Sequence, residues 1–159
     1  MLPKRSNLDW LLELAALGTL LSMFGIVVSL WPELPEQIPR HFNAAGDPNR
    51  WGAKAGIWTL PIIAAVMYTA LTILSGFPQR FNVPFRIDRS DPEVLGLLRR
   101  MMMVIRLEML LMFAYISWTT LQTALGRSTG LGRAFLPLVT TAAFAPVAYY
   151  LVRLRRYRA

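Results

Sequence analysis

Four long apolar segments separated by polar stretches dominate the pattern of this chain. Each segment reaches the length of about 20 apolar residues that an α-helix needs to cross a hydrocarbon core about 30 Å thick. The pattern therefore predicts an all-α membrane protein, a single integral membrane domain over residues 1–159 with four transmembrane helices. The predicted helices cover residues 10–31, 56–76, 103–125 and 134–152.

The third helix is predicted to begin well before its apolar part. Ser90, Asp91, Pro92 and Glu93 combine a capping-box pattern with a proline suited to the first helical turn. We therefore expect this helix to extend N-terminally toward residue 92. Its first turns would then project from the membrane or lie in the interface.

The composition agrees with a membrane protein. Hydrophobic residues make up 55% of the chain, compared with roughly 45–50% in soluble domains. The first apolar segment follows Lys4 and Arg5, as in a signal peptide, but no small-residue cleavage site comes after it. We interpret it as an uncleaved first span.

The distribution of Lys and Arg predicts the orientation. Five of the 17 lie in the first and third loops, and cationic residues concentrate on the cytoplasmic side of membrane proteins. Both termini are therefore predicted to be cytoplasmic and the loop 32–55 to be extracytoplasmic. The other twelve lie in the termini and the second connector: Lys4, Arg5, Arg80, Arg86, Arg89, Arg99, Arg100, Arg106, Arg153, Arg155, Arg156 and Arg158.

The formal net charge of +8 indicates an anionic partner. The arginines flank apolar segments and do not form one continuous patch with interleaved aromatic residues, so anionic lipid headgroups are a simpler partner than nucleic acid. Arg99 and Arg100 could contact phospholipid phosphates at the start of the third helix, or form a solvated basic helix end.

Four charged or amide side chains fall within the apolar segments: Glu13, Arg106, Glu108 and Gln122. A charged carboxylate at mid-membrane costs roughly 2.5–3.5 kcal/mol. One interpretation pairs Glu13 with Arg106 or Arg100, or lets it reach the interface. The alternative is a proton or cation site between the first and third helices, with Gln122 extending a polar track from Glu108.

Small residues recur along one face of the first helix, at Gly18, Ser22, Gly25 and Ser29. Such a face permits close helix packing. It would pack either within the chain or against another copy in a homo-oligomer.

The loop 32–55 is rich in proline and in turn-forming residues. Its prolines favour an extended, polyproline-like path as far as Pro39. Turns are predicted at Asn43–Gly46 and Asp47–Arg50. Restricted backbone angles reduce the entropy lost on ordering, so we expect a defined surface outside the membrane.

His41 is the one histidine, and no cysteine is present, so the chemistry of this loop is limited. His41 and Asp47 could form a general-base pair, or His41 could bind a metal with Glu33, Glu36 or Asp47. However, the loop has no Ser or Cys nucleophile, and one imidazole makes a poor transition-metal site. The sequence thus predicts no enzyme, metal or cofactor. It favours hydrogen bonds from the side chains of His41 and Asn43 to backbone groups of the loop.

The segment LPEQIPRHFNAAGDPNRWGAK resembles the LPxxIPxHFNxxGxPDxxGSK signature of a bacterial membrane domain of unknown function, as found in SdpI-like immunity proteins. The resemblance covers Trp31 to Trp58. Asn49 replaces the usual Asp and Ala53 the usual Ser, which removes a carboxylate and a hydroxyl. The matching positions are Leu34, Pro35, Ile38, Pro39, His41, Phe42, Asn43, Gly46, Pro48, Gly52 and Lys54.

The resemblance implies a non-enzymatic protein of the bacterial cytoplasmic (inner) membrane that protects the cell from a secreted antimicrobial peptide. The peptide or protein partner would bind the outer loop. Alternatives are an oligomeric transporter or channel that uses Glu13 and Glu108, and an accessory or sensory subunit. The expected binding residues of the loop are Arg40, His41, Phe42, Asn43, Gly46, Asp47 and Lys54.

Overall fold

The computed structural model of the protein describes residues 4–157, so Arg158, counted above for the orientation, lies outside the described residues. Four helices make up most of the fold, and all four are long and apolar enough to cross a membrane. The predicted number of helices is confirmed for this part of the chain. The helices are α1 (Asn7–Leu30), α2 (Thr59–Ser75), α3 (Pro92–Ala124) and α4 (Phe135–Leu154).

Side-chain caps set the starts of α1 and α3. The Asp9 amide donates to Ser6 Oγ at 3.2 Å, and the Ser6 amide donates to Asp9 Oδ2 at 2.8 Å, forming a capping box. At α3 the Glu93 amide donates to Asp91 Oδ1 at 2.8 Å, with Pro92 as the first helical residue. The predicted early start of the third helix is confirmed, and its 33 residues make it about 50 Å long.

Helix α3 lies at the centre and packs against each of the other three helices. Beside α1 and α2 it contributes Leu110 to a core cluster with Ala16, Leu20, Met23 and Ala64. The spacing of the α1 residues, three or four apart, places them on one face of that helix.

Helix α4 packs on α3 mainly near the chain termini, an end of the bundle that we call the terminal end. There Tyr150 and Leu154 join Val94, Leu98 and Met101 in a second core cluster. Elsewhere α4 is largely exposed, which suits a helix surrounded by lipid.

The connector between α2 and α3 has no long element of its own but is held by side-chain hydrogen bonds. Arg89 donates to the Gln79 and Phe81 carbonyls at 3.3 and 3.0 Å. The Ser90 hydroxyl and amide donate to Asp88 Oδ1 at 2.6 and 2.8 Å. These hydrogen bonds stabilise the ionised carboxyl and lower the pKa of Asp88.

The opposite end of the bundle, which we call the hairpin end, carries two strands. Strand β1 (Gln37–Phe42) pairs antiparallel with β2 (Pro48–Ala53). The all-α prediction is therefore wrong for this loop, and the predicted polyproline-like path becomes a strand from residue 37. Pro39 lies beside a register shift and Pro48 begins β2, positions at which a strand tolerates a missing N–H.

The small-residue face of α1 makes no close packing contacts with the described part of the chain. Gly18, Ser22, Gly25 and Ser29 are all exposed, and a Cβ built on Gly18 or Gly25 would have no neighbouring atom within 4 Å. Self-association through this face stays a prediction.

Candidate functional site

The β-hairpin is anchored to the helices by two apolar side chains at its base. Leu34 and Ile38 are 5% and 1% exposed, and they pack with Val27 of α1, Ile57 and Leu121 of α3. These two positions carry the leucine and isoleucine of the loop signature. Their role here is burial, which stabilises the hairpin by about 1.5–3 kcal/mol for each fully buried aliphatic side chain.

Lys54 closes the base of the hairpin. Its Nζ lies 3.1 Å from Glu36 Oε1 and 5.2 Å from the centroid of the Trp31 ring. The Trp31 ring in turn lies 5.9 Å from that of Trp58. A cation over an indole ring is an attractive contact. Lys54, predicted as a binding residue, is therefore engaged by the hairpin itself.

The hairpin tip is a turn organised by Asn43. Asn43 Oδ1 accepts hydrogen bonds from the amides of Ala45 and Asp47 at 2.9 and 3.0 Å. The Gly46 amide donates to the Asn43 carbonyl at 2.9 Å, and Gly46 has a φ of +86°, which glycine adopts readily. The turn predicted at Asn43–Gly46 is confirmed, and so are the predicted hydrogen bonds between the Asn43 side chain and the backbone. The turn predicted at Asp47–Arg50 is wrong, because β2 begins at Pro48. The ring of His41 bonds the Asn49 side chain and not the backbone.

The tip docks on the turn between α3 and α4. The Leu131 amide donates to the Gly46 carbonyl at 2.8 Å. A Cβ on Gly46 would lie 2.7 Å from Gly132 N, so only a residue without a side chain allows this approach. Tyr115 Oη adds a hydrogen bond to the Leu131 carbonyl at 2.9 Å. The hairpin is thus fixed at its tip as well as its base.

A pocket of about 340 Å³ opens between β1, the start of α2 and α3. Arg40, His41 and Phe42 line it, whereas Asn43, Gly46, Asp47 and Lys54 do not. The structure therefore brings three of the seven predicted loop residues to one cavity. The remaining lining residues are mostly apolar: Ile38, Pro39, Gly56, Ile57, Thr59, Leu60, Ile116, Thr120 and Leu131.

Neighbouring residues orient the two polar side chains on β1. His41 Nδ1 lies 2.6 Å from Asn49 Oδ1 on β2. Because Oδ1 is an acceptor, Nδ1 carries the hydrogen, and Nε2 of the neutral imidazole is then an acceptor. The Arg40 side chain lies along Gly52 and Gly56, and a Cβ on Gly52 would come within 2.9 Å of Arg40 Cγ. His41 thus contacts Asn49, and the structure records no hydrogen bond between it and Asp47.

A charged network joins α1, α2 and α3 in the terminal half of the bundle. Arg106 is fully buried and donates from Nη2 to Glu13 Oε2 at 3.0 Å. It also donates from Nη1 to Thr72, and its guanidinium lies 4.9 Å from the centroid of the Tyr68 ring. Tyr68 Oη donates to Glu13 Oε1 at 2.8 Å. The predicted Glu13–Arg106 pair is confirmed.

Arg100 pairs with Asp9 and not with Glu13. Arg100 Nε and Arg99 Nη2 donate to the two oxygens of Asp9 at 2.9 and 3.2 Å. Asp9 is 1% exposed and was not among the residues predicted from the sequence. The Ser6-to-Asp9 capping-box spacing, one turn before Glu13, was the signal that could have identified it.

Glu108 lies apart from this network. Arg106 and Glu108 are two residues apart on α3, so they point about 200° apart around the helix axis. Glu108 lines an apolar cleft of about 820 Å³ between α3 and α4. Neither its carboxylate nor the Gln122 amide makes a hydrogen bond or ion pair within residues 4–157. Glu13, Glu108 and Gln122 are therefore not brought together.

The fold and this site define a class: a four-helix protein of membrane type with an ordered β-hairpin between its first two helices. Residues 18–65 match a family described as a domain of unknown function, DUF1648. The match extends from the middle of α1 through the hairpin into α2, and so includes the β1 wall of the pocket.

The chain is also similar to an uncharacterized protein of Archaeoglobus fulgidus. The two are 32% identical over 62 residues, which amount to 34% of this chain and 34% of that protein. The chain thus matches about a third of the length of this relative. No solved structure matches the chain significantly. These comparisons relate the chain to a membrane-type family of unknown function.

Proposed function

We propose that this chain is a non-enzymatic, multi-pass protein of a bacterial cytoplasmic membrane, with its termini inside and its hairpin outside. Its function is to protect the cell by binding a secreted antimicrobial peptide at the hairpin. The pocket beneath β1 carries this proposal, because it combines apolar walls with the guanidinium of Arg40 and the imidazole of His41. The resemblance of the loop to SdpI-like immunity proteins supplies the class of ligand.

The pocket suits one part of an amphipathic peptide. Its volume of about 340 Å³ accommodates an apolar side chain, with Ile116 and Leu131 among its walls. The guanidinium of Arg40 can donate to a carbonyl or carboxylate of the same peptide, and Nε2 of His41 can accept from one of its N–H groups. The hairpin is held at base and tip before a ligand arrives, so binding costs little loop-ordering entropy.

Survival of a sensitive bacterium tests this proposal. Cells expressing the wild type, Arg40→Ala, His41→Ala or Arg50→Ala are challenged with a panel of secreted antimicrobial peptides, and survival and membrane potential are recorded. Arg50 is the matched control, because it is an exposed arginine on β2 that does not line the pocket. Asn43 is avoided, since its replacement would disturb the turn.

We expect the wild type and Arg50→Ala to protect, and Arg40→Ala and His41→Ala to lose protection at equal membrane abundance. Equal loss in all three variants would mean that hairpin charge, not the pocket, is what matters. Full protection by a chain whose hairpin is replaced by a glycine-serine linker would overturn the proposal.

Transport is the second candidate, and the position of Glu108 favours it. A carboxylate without a partner in an apolar cleft, on a helix long enough to cross a membrane, is a candidate proton or cation site. Purified chain in proteoliposomes would then show a proton or cation flux that Glu108→Gln abolishes and His41→Ala leaves unchanged. No flux above that of empty liposomes would eliminate this candidate.

A further inference from the structure

We infer that the terminal end of the bundle holds a specific binding site for a phosphate group, carried by an anionic phospholipid. A pocket of about 320 Å³ lies there between the N-terminal segment, the first turns of α3 and the end of α4. Four cationic side chains from these three parts of the chain line it: Lys4, Arg99, Arg100 and Arg153.

Within residues 4–157, the side chains that line this pocket carry more positive than negative charge. Asp9 lies behind it and pairs with both Arg99 and Arg100. Glu93 lines the pocket, and its Oε2 accepts a hydrogen bond from Tyr157 at 2.6 Å. In the described part of the chain, four cations against these two carboxylates give an excess of two positive charges. A bound dianion, or two headgroup phosphates, would complete the balance.

The ion pair with Asp9 prepares Arg100 for such a ligand. Arg100 donates from Nε to Asp9 at 2.9 Å and from Nη2 to Ser6 Oγ at 3.1 Å. A guanidinium has five N–H donors in a planar fork, so Nη1 stays available on a side chain that is already oriented. This donor geometry matches phosphate oxygens. The pocket thus differs from a mobile surface lysine cluster.

The level of the pocket in the bundle indicates the source of the phosphate. Helix α3, at about 50 Å, is longer than a hydrocarbon core of about 30 Å. Its first turns, which form one wall, therefore lie at headgroup depth if the apolar part spans the bilayer. The inference rests on the proposed membrane placement, but it does not depend on peptide binding at the hairpin.

Lipid retention by the purified full chain tests the site. The chain in a non-ionic detergent is titrated with dioleoyl phosphatidylglycerol, dioleoyl phosphatidylcholine or inorganic phosphate, and bound species are counted by native mass spectrometry. Lys4→Gln and Arg153→Gln change the pocket without touching the Asp9 pairs. Arg155→Gln and Arg156→Gln are the matched controls, because they remove one positive charge nearby from residues that do not line it.

We expect phosphatidylglycerol to be retained in preference to phosphatidylcholine. Lys4→Gln and Arg153→Gln should each weaken retention about fivefold, the effect of one cation near a phosphate, and the two controls less than twofold. If all four variants weaken lipid retention equally, the lipid is held by the general positive charge of this end, and the proposal of a specific site is wrong. If inorganic phosphate at millimolar concentration displaces phosphatidylglycerol, the pocket binds phosphate, but the proposal that a lipid supplies it is wrong.

Thermal unfolding of each variant without lipid completes the test. Lys4→Gln and Arg153→Gln should unfold within about 2 °C of the wild type, because an exposed cation contributes little to stability. A much larger decrease in the unfolding temperature would show that these side chains stabilise the fold. Arg153→Lys should then decide, because it must restore retention if charge in the pocket is what matters.

Discussion

Helix α3 packs in two different ways on its two sides. Toward α1 and α2 it buries Arg106 completely, and the guanidinium meets Glu13, Thr72 and Tyr68. Toward α4 it presents Glu108 to an apolar cleft of about 820 Å³. The two sides differ in how many neighbouring helices approach them, since α1 and α2 together enclose one side whereas α4 meets the other mainly at the terminal end.

The two sides show which surroundings allow a buried charged residue to stabilise the fold. A buried ion pair persists when further donors and acceptors complete it, as Thr72 and Tyr68 do for Arg106 and Glu13. A carboxylate in a cleft has no such shell, and it is available for a proton, a cation or a partner. Substitutions on the α1 and α2 side of α3 should therefore change the stability strongly, and substitutions on the α4 side only slightly.

The largest effect is expected from Arg106→Leu. It leaves Glu13 charged and without its main partner, which should lower the free energy of unfolding by about 3–5 kcal/mol. Unfolding of the purified protein in detergent by heat or by SDS measures this loss. The double variant Arg106→Leu/Glu13→Leu should recover most of it, because no buried charge is then left unpaired. A double variant as unstable as the single one would contradict a role in pairing.

An intermediate effect is expected from Gly46→Ala, which tests whether the hairpin holds the turn above the cleft. The φ of +86° and the 2.7 Å approach to Gly132 N oppose a Cβ there. We expect a loss of about 2 kcal/mol and faster hydrogen exchange at the Leu131 amide.

Gly18→Ala is the matched control for that change. A Cβ at Gly18 would have no neighbour within 4 Å, so alanine should leave the stability unchanged or raise it by up to about 1 kcal/mol. Unchanged exchange at Leu131 in the Gly46→Ala variant would show that the docking does not constrain the turn.

The smallest effect is expected from Glu108→Leu. Replacing a carboxylate that has no partner in the cleft should change the free energy of unfolding by less than about 1 kcal/mol, in the stabilising direction. The same unfolding measurement checks it beside Arg106→Leu. A loss of stability comparable with that of Arg106→Leu would mean that the charged residues on both sides of α3 stabilise the fold.

The helices were predictable because their signals are local. Hydrophobic length identified all four, and the sequence from Ser90 to Glu93 located the start of α3. The strands were not predicted, because the four prolines in the loop 32–55 favoured a polyproline-like path over strand pairing. Pairing of β1 with β2 depends on the Asn43 turn and on burial of Ile38, and proline is tolerated at a bulge and at a strand start.

The candidate site was predictable only in part. Arg40, His41 and Phe42 were expected to form a binding surface, and all three line the pocket. The other wall, which includes Ile116 and Thr120 of α3, comes from residues about 75 positions later in the chain, so no local pattern relates them to the hairpin. Binding at this pocket stays a prediction.

The sequence by itself determined the number of helices, their approximate limits and the turn at Asn43, and it limited the partners of Glu13 to Arg106, Arg100 or the interface. Each of these follows from local spacing or from the cost of an unpaired charge in an apolar segment. Only the tertiary structure decided that Asp9 joins Arg99 and Arg100, that Gly46 meets the α3–α4 turn, and that Glu108 lines a cleft with no partner among residues 4–157. These depend on which helix faces approach each other, which is set by packing over the whole bundle.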